Sequence, residues 1–321
     1  MRRARFSQYW KQRKSSESSE SSSELHDYRL HFCDQPEACL CAGCYPNFTA
    51  AETEAHTAGM LFEFDNALVR DPAPTVVKGL TSQPGPPPEF AAVAREHTLY
   101  VQALTECGLS VERLPPLEDF PDSIFVEDPA LVFGDAAILL RPGAPSRLGE
   151  GAHLESALLR RFERVLQMQH GFADGGDMLL TPQGMFIGLS RRTDHAGAAE
   201  LGGLLQQLGI SSRIVATPAD TLHLKSDCSL IDDDHIVCTA GLGASGLFEG
   251  YRKLIVPDNE KQAANVLRLN DTVLVGDRFP RTIDLLAGHG YKVRPIPTAN
   301  TGKLDAGLTC MSLRWKARRS N

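Results

Sequence analysis

Near the C-terminal end of the chain, the run Leu304-Asp-Ala-Gly-Leu-Thr-Cys310-Met-Ser-Leu-Arg-Trp315 carries a single cysteine in a short strand-like stretch. It lies just after a glycine able to bend the backbone. A thiolate is a strong nucleophile and is favoured beside a cation. Free cysteine is also a common small core residue, and Cys310 alone fits either role. Strand alternation would put Leu308, Cys310 and Ser312 on one face, a more polar set than core packing favours. A second chemistry-bearing residue, His223, sits in Leu222-His-Leu-Lys-Ser226. Read as a strand, this segment turns Leu222 and Leu224 one way and His223 and Lys225 the other. The imidazole would then project from an apolar layer, as a general acid/base or as a hydrogen-bonded structural histidine.

The acidic residues form two groups. Asp122, Glu127 and Asp128 fall within Phe120-Pro-Asp-Ser-Ile-Phe-Val-Glu-Asp128, and Asp174 and Asp177 within Ala173-Asp-Gly-Gly-Asp177. Either could be a solvated turn. Ile124, Phe125 and Val126, however, make the first group read as a buried strand, where carboxylates are costly unless they meet a cation. A guanidinium is a planar cation that carboxylates grip with paired hydrogen bonds. Adjacent residues point to opposite faces of a strand, so Glu127 and Asp128 could share one ligand only at a strand end. Two basic loops, Arg141-Pro-Gly-Ala-Pro-Ser-Arg147 and Gly188-Leu-Ser-Arg-Arg-Thr193, offer forks for a carboxylate or are ordinary exposed arginines. Cysteine, histidine and clustered carboxylates together are the parts required to attack a guanidinium carbon.

Elements of a regular domain must position these groups. Four strand-turn-strand patterns recur at Val126–Leu140, Met178–Leu189, Ser229–Thr239 and Asn265–Gly276, with an incomplete fifth at Leu308–Trp315. Amphipathic helical patterns lie between them at Glu89–Cys107, Ala152–Met168, Ala196–Gly209 and Pro280–Gly288. A hairpin plus helix repeating every 40–55 residues or so cannot bury its own apolar face, and the copies must pack around a common axis. The expected fold is an α/β propeller-like ring of about five units over residues 61–317. No glycine-rich nucleotide-binding fingerprint follows a strand.

Residues 1–60 differ in composition. A basic start is followed by a Ser/Glu tract from Ser15 to Glu24, which cannot build a core, so a disordered extension is expected. Cys33, Cys39, Cys41 and Cys44 follow, spaced C-x5-C-x-C-x2-C; the ligand type suits zinc, although the spacing matches no paired CxxC motif. A net charge of −7 argues against a nucleic-acid partner. No secretory signal and no run long enough to span a bilayer is evident, which points to a reducing cytoplasm with free thiols.

Seven runs occur in the order found in one family: VVKGLTS (76–82), LPP…FPDSIFVEDP (114–129), RPGAPSR (141–147), DGGDM (174–178), GLSRRT (188–193), LHLKS (222–226) and LDAGLTCMSLRW (304–315). Together they resemble the dimethylarginine dimethylaminohydrolases of the guanidino-modifying superfamily, whose fold is a five-unit α/β propeller. The resemblance covers 61–315 and leaves residues 1–60 without a counterpart. It implies Cys310 as nucleophile, His223 as general acid/base and Asp174 as its supporting carboxylate. It further implies substrate contacts from Asp122, Glu127 and Asp128, from Arg147 and Arg192 to an α-carboxylate, from Leu80 on a lid loop, and from the backbone at Leu304. The implied reaction turns a methylated arginine into citrulline and a methylamine through a cysteine-linked intermediate, with no metal or organic cofactor. The partner is then a small molecule, and the chain a monomer or a homodimer. An arginine deiminase or amidinotransferase, a non-catalytic arginine-binding or scaffold protein, and a zinc-dependent module in residues 1–60 remain alternatives.

Overall fold

The computed structural model describes residues 61–218 and 221–317; the extension 1–60, with its group Cys33, Cys39, Cys41 and Cys44, lies outside the described residues. Among the described residues the strands form five three-stranded sheets. The first joins β1 (Asn66–Arg70) to β2 (Ser110–Leu114), and the second holds β3 (Ala130–Phe133), β4 (Ala136–Leu139) and β5 (Arg164–Gln167). The third holds β6 (Met178–Thr181), β7 (Gly184–Leu189) and β8 (Ser212–Ala216), and the fourth β9 (Cys228–Leu230), β10 (His235–Cys238) and β11 (Arg252–Ile255). The fifth holds β12 (Leu267–Leu269), β13 (Thr272–Gly276) and β14 (Lys292–Ile296), and β15 (Leu313–Trp315) returns to complete the first sheet.

Every sheet has the same plan. A hairpin supplies an antiparallel pair, such as Leu131 opposite Ile138, and a helix-led return adds a parallel third strand, such as β5 beside β4. In the first sheet the two halves of the repeat come from opposite ends of the chain: Leu68 pairs with Leu313, closing the ring. That explains the incomplete fifth hairpin in the sequence. Leu131, Leu179, Leu230, Leu267 and Leu313, one from the first strand of each unit, line one central cavity of about 940 Å³, so these strands face the axis. The expected five-unit ring is the observed architecture.

Differences from expectation concern the outer layer. The helical pattern at Ala152–Met168 ends at Arg161, where α2 (Ala152–Arg161) gives way to β5. Parallel pairing with β4 claims Arg164–Gln167, a tertiary demand that outweighs local periodicity. The other helices follow their patterns closely as α1 (Phe90–Glu106), α3 (His195–Gln207) and α5 (Pro280–Gly288); the fourth unit has only the short α4 (Ala240–Gly243). Pro280 starts α5 at a position whose amide would have no helical partner. Among the described residues no helix is long and apolar enough to cross a membrane.

Helix α1 carries two buried polar residues with opposite consequences. Glu96 accepts hydrogen bonds from the Asn300 and Thr301 amides at 2.8 and 2.9 Å, which fixes the turn leading to Leu304. His97 is fully buried with no hydrogen-bond partner on either ring nitrogen among the described residues, and burial pushes its pKa down to about 4. Two unpaired ring nitrogens cost stability at every pH, but holding the ring neutral adds no further cost at neutral pH. Stability is lost as pH falls through the unfolded value near 6.5 toward 4, because only the unfolded chain then takes the proton. We expect His97→Leu to reduce the loss of stability between pH 7 and pH 4.5 by about 2–3 kcal/mol, read from urea unfolding of both proteins. Equal pH slopes would refute this.

Candidate active site

Chain segments that connect the sheets near the ring axis supply the site. Cys310 stands in the turn before β15 rather than within a strand. Its backbone is fixed on both sides: Cys310 N donates to Gly307 O at 3.4 Å, and Glu127 N donates to Cys310 O at 3.1 Å. The strand alternation expected for Leu308–Leu313 therefore does not hold around the thiol. A Cβ on Gly307 would lie 2.1 Å from Cγ of Asn265, so only glycine fits where the turn crosses that side chain.

His223 likewise is not in a strand. It is the extended residue (φ −140°, ψ 155°) before the short helical turn Leu224–Ser226. Leu224 enters the core, and Lys225 is buried in an ion pair with Glu127 at 2.6 Å, so the expected alternation of His223 and Lys225 against Leu222 and Leu224 is replaced by a turn. The ring Nε2 meets Asp174 Oδ2 at 2.9 Å. The opposite edge packs on a backbone: a Cβ on Gly176 would stand 2.7 Å from both Cγ and Nδ1 of the imidazole. His223, Gly176 and Cys310, with Leu222, Ser82 and Asp305, line one cavity of about 190 Å³.

The segment expected as a buried strand around Ile124–Val126 is a pair of turns, with β3 beginning only at Ala130. Adjacent carboxylates thereby diverge. Asp128 is buried against Arg147 and accepts from the Gly176 amide at 3.2 Å, whereas Glu127 turns toward Lys225 and accepts from Thr309 Oγ1 at 2.7 Å. Glu127 and Lys225 both line the large central cavity, and Lys225 also reaches the Cys310 cavity, so this ion pair stands between the two. Asp122 accepts from the Leu80 amide at 2.9 Å, and Ser82 N donates to Asp305, so carboxylates hold the loop that carries Leu80. A Cβ on Gly79 would lie 3.0 Å from both Asp122 Oδ1 and Leu304 Cδ2, which places Leu80, Asp122 and Leu304 around one point.

The two arginines differ. Arg147 is buried, and most of its donors are taken: Nε by Glu150 at 3.0 Å, Nη2 by Glu150 at 2.7 Å and Phe125 O at 2.9 Å, and Nη1 by Asp128. Arg192 is partly exposed, and its Nη1 stands 3.9 Å from Asp174 Oδ2. Glu150, Lys225 and Asn265 went unremarked as site residues in the sequence. Only Glu150 carries a usable signal, an acid three residues after Arg147.

Charge in this site is arranged in a definite way. Burial alone would lower the His223 pKa, but Asp128, the Asp174 hydrogen bond and Asp177 together raise it to about 9, so the ring is an imidazolium at neutral pH. Burial, reinforced by Glu127 and Asp128, pushes the Cys310 thiol up to about 12. The resting pair is thus a neutral thiol and a charged imidazole. Asp128, Asp174 and His223 each bring one atom within 4.8 Å of the others, a spacing that would also suit a divalent cation. Asp128 already shares its charge with Arg147, however, and an imidazolium has no lone pair to offer a metal. We expect iodoacetamide to label Cys310 at pH 7 at least about tenfold more slowly than a free thiol, with the rate rising about tenfold per pH unit toward pH 9. Peptide-resolved mass spectrometry reads this; rapid labelling at pH 7 would contradict the charge assignment.

A scan of protein-family models gives no match. The N(G),N(G)-dimethylarginine dimethylaminohydrolase of Pseudomonas aeruginosa is 33% identical over 254 residues, covering 78% of this chain and 100% of that protein. The chain belongs to the dimethylarginine dimethylaminohydrolase family. A solved structure of that bacterial protein, a Cys-to-Ser mutant complexed with citrulline, superposes with a TM-score of 0.77 over 79% of this chain and 100% of that one. A second family structure, an adduct with S-methyl-L-thiocitrulline, gives a TM-score of 0.76 over 78% of this chain at 33% identity. The five-sheet ring is accordingly the family's architecture.

Proposed function

We propose that the chain hydrolyses Nω-methylated L-arginine, including the asymmetric dimethyl form, to L-citrulline and the corresponding methylamine. The observation that carries this is the shared cavity of Cys310 and His223, with His223 held by Asp174 and carboxylates on the surrounding turns. Family membership supports it, as does the citrulline bound to a family relative.

In this reading the substrate guanidinium enters beside Asp128 and Asp122, the carboxylates that would neutralise it. Arg192, with the remaining Nη1 hydrogen of Arg147, receives the α-carboxylate. Leu304 contributes backbone, and the loop carrying Leu80 covers the ligand. Glu127 acts from behind, through the Lys225 pair and the Cys310 backbone. Burial and the nearby carboxylates keep the Cys310 thiol protonated; the incoming cation favours the thiolate against both, and the thiol loses its proton to solvent. The thiolate adds to the guanidinium carbon. The imidazolium of His223 then gives its proton to the methylated nitrogen, which leaves as a neutral amine instead of an amide anion. This leaves a thiouronium on Cys310 and a neutral imidazole. A water loses a proton to His223 and attacks the same carbon; collapse of the adduct expels the thiolate, which takes up the proton lost from the new hydroxyl to restore the thiol, and releases citrulline. The resting charge state serves both halves: His223 begins as the acid it must be, and Cys310 ionises only when a cation is bound.

The test is to incubate the full chain with asymmetric dimethylarginine and assay citrulline and dimethylamine, trapping the Cys310 adduct by acid quench and mass spectrometry. Equimolar products and a Cys310-linked mass are expected. Ammonia from free arginine, with methylated arginine inert, would assign the deiminase reaction instead.

A further inference from the structure

Asp177 was singled out in the sequence, and the mechanism above gives it no step. It is fully buried and accepts three hydrogen bonds, one from the His223 turn and two from the turn Ser190–Thr193. Oδ1 accepts from Leu224 N, the amide next to His223, at 2.8 Å. Oδ2 accepts from Ser190 Oγ and from Thr193 Oγ1, each at 2.6 Å. Both hydroxyls pass the connection on. Ser190 Oγ receives Arg192 N at 2.9 Å, and Thr193 Oγ1 receives Asp174 N at 3.2 Å. One carboxylate therefore ties together the backbones of the general acid, its supporting aspartate and the arginine assigned to the substrate carboxylate.

We propose that Asp177 is the positioning residue of this site, fixing the His223 turn and the Arg192 turn at one separation. The inference rests on the methylarginine hydrolase reading. The hydrogen bonds carry it, and the negative charge held beside the His223 turn also favours the charged ring. The hydroxyls spend their protons on Asp177, so each can only accept from the backbone amide behind it, which selects one turn conformation. A Cβ on Gly188 would sit 2.8 Å from Leu224 Cβ and 3.3 Å from Asp177 Oδ1, so the carboxylate is walled in and cannot swing away without disturbing the turn. The charged groups facing His223 are Asp128, Asp174 and Asp177, with Arg192 beyond Asp174 and the Cys310 thiol across the cavity. Asp177 is the one of these three carboxylates with no cationic side chain bonded to it; Asp128 shares its charge with Arg147 and Asp174 touches the ring itself.

Three variants separate the roles. Asp177→Asn preserves the shape: its oxygen can accept from Leu224 N, and its amide can donate to hydroxyls that rotate to receive it. Removing the charge leaves His223 easier to deprotonate. We expect kcat to fall at least about tenfold and the alkaline limb of kcat against pH to move to lower pH, with the thermal transition retained. Ser190→Ala removes the acceptor for Arg192 N at 2.9 Å and a longer contact from Thr193 N at 3.3 Å, leaves the Thr193 Oγ1 link from Asp177 to Asp174 in place, and should raise KM about tenfold with kcat within about threefold. Thr193→Val breaks the Asp174 branch and should lower kcat with a smaller change in KM. Substrate is asymmetric dimethylarginine throughout. Failure of the unaltered chain to release citrulline overturns the hydrolase reading itself. With an active parent, an unchanged pH limb in Asp177→Asn overturns the proposal. If that variant does not fold, the serine and threonine variants decide: the stated KM and kcat split supports it, and an equal effect of both on both constants overturns it.

Discussion

Replacing Cys310 by serine is expected to lower turnover of dimethylarginine by at least about 10⁴-fold, the scale found when a covalent nucleophile is removed. Serine differs from cysteine by one atom, and the backbone that places it is fixed by Glu127 N and Gly307 O. The surroundings make the loss severe. Burial, reinforced by Glu127 and Asp128, holds even a thiol up to about 12, and an alcohol starts far higher, so a bound guanidinium cannot bring it to the anion. Binding should survive, because the groups assigned to the amino-acid end and to the guanidinium are untouched. Calorimetry with citrulline or substrate should therefore give a dissociation constant within a few-fold of the parent value. Residual turnover above about 1% would remove covalent catalysis from the mechanism, and lost binding would show that the cysteine does more than attack.

The second large effect is on stability. Arg147 is buried between Asp128 and Glu150 and also ties down Phe125 O and Asp122 O, so it holds the whole acidic segment. Cutting one partner from a buried ion network leaves uncompensated charge, which costs about 3–5 kcal/mol. We expect Arg147→Met to lose stability on that scale at pH 7.5. Glu150 already sits at about 7, raised by burial and held from rising further by Arg147. Without the guanidinium, the folded state would keep protons on its carboxylates to a higher pH than the unfolded chain does. The folded variant then binds the extra protons, so its deficit should shrink as pH falls from 7.5 to 5.5. Urea midpoints at the two pH values measure this. A deficit that stays constant or grows would mean the carboxylates are not charged against Arg147.

Much of the ring was legible because its signal repeats. Turn chemistry at Gly134-Asp135, Pro182-Gln-Gly184 and Asn270-Asp271 marks hairpins wherever it falls between apolar runs, and a unit that cannot bury itself must have neighbours. The outer strands were not legible. Arg164–Gln167 alternates too little to separate it from the end of a helix, and only the empty edge of β4 decides its state. The site segments misled in the same way. Leu308–Ser312, Leu222–Ser226 and Ile124–Val126 all have strand-like composition, yet none pairs into a sheet and they form turns between the strands. In each, the strand reading gave the chemistry-bearing residue a wrong set of neighbours.

Read alone, the chain supplies the inventory and the plan: Cys310 and His223 in chemistry-bearing runs, clustered carboxylates, two basic loops, and a fivefold repeat to carry them. These follow from residue type and periodicity, which are local properties. The tertiary structure decided which charges meet. That Glu127 faces Lys225 while its neighbour Asp128 faces Arg147, that Asp177 joins its own turn to those at Ser190–Thr193 and Leu224, and that the thiol rests protonated in one cavity with an imidazolium all depend on residues 13 to 182 positions apart. Electrostatic energy depends on distance in space and on burial, and neither is written in the order of the chain.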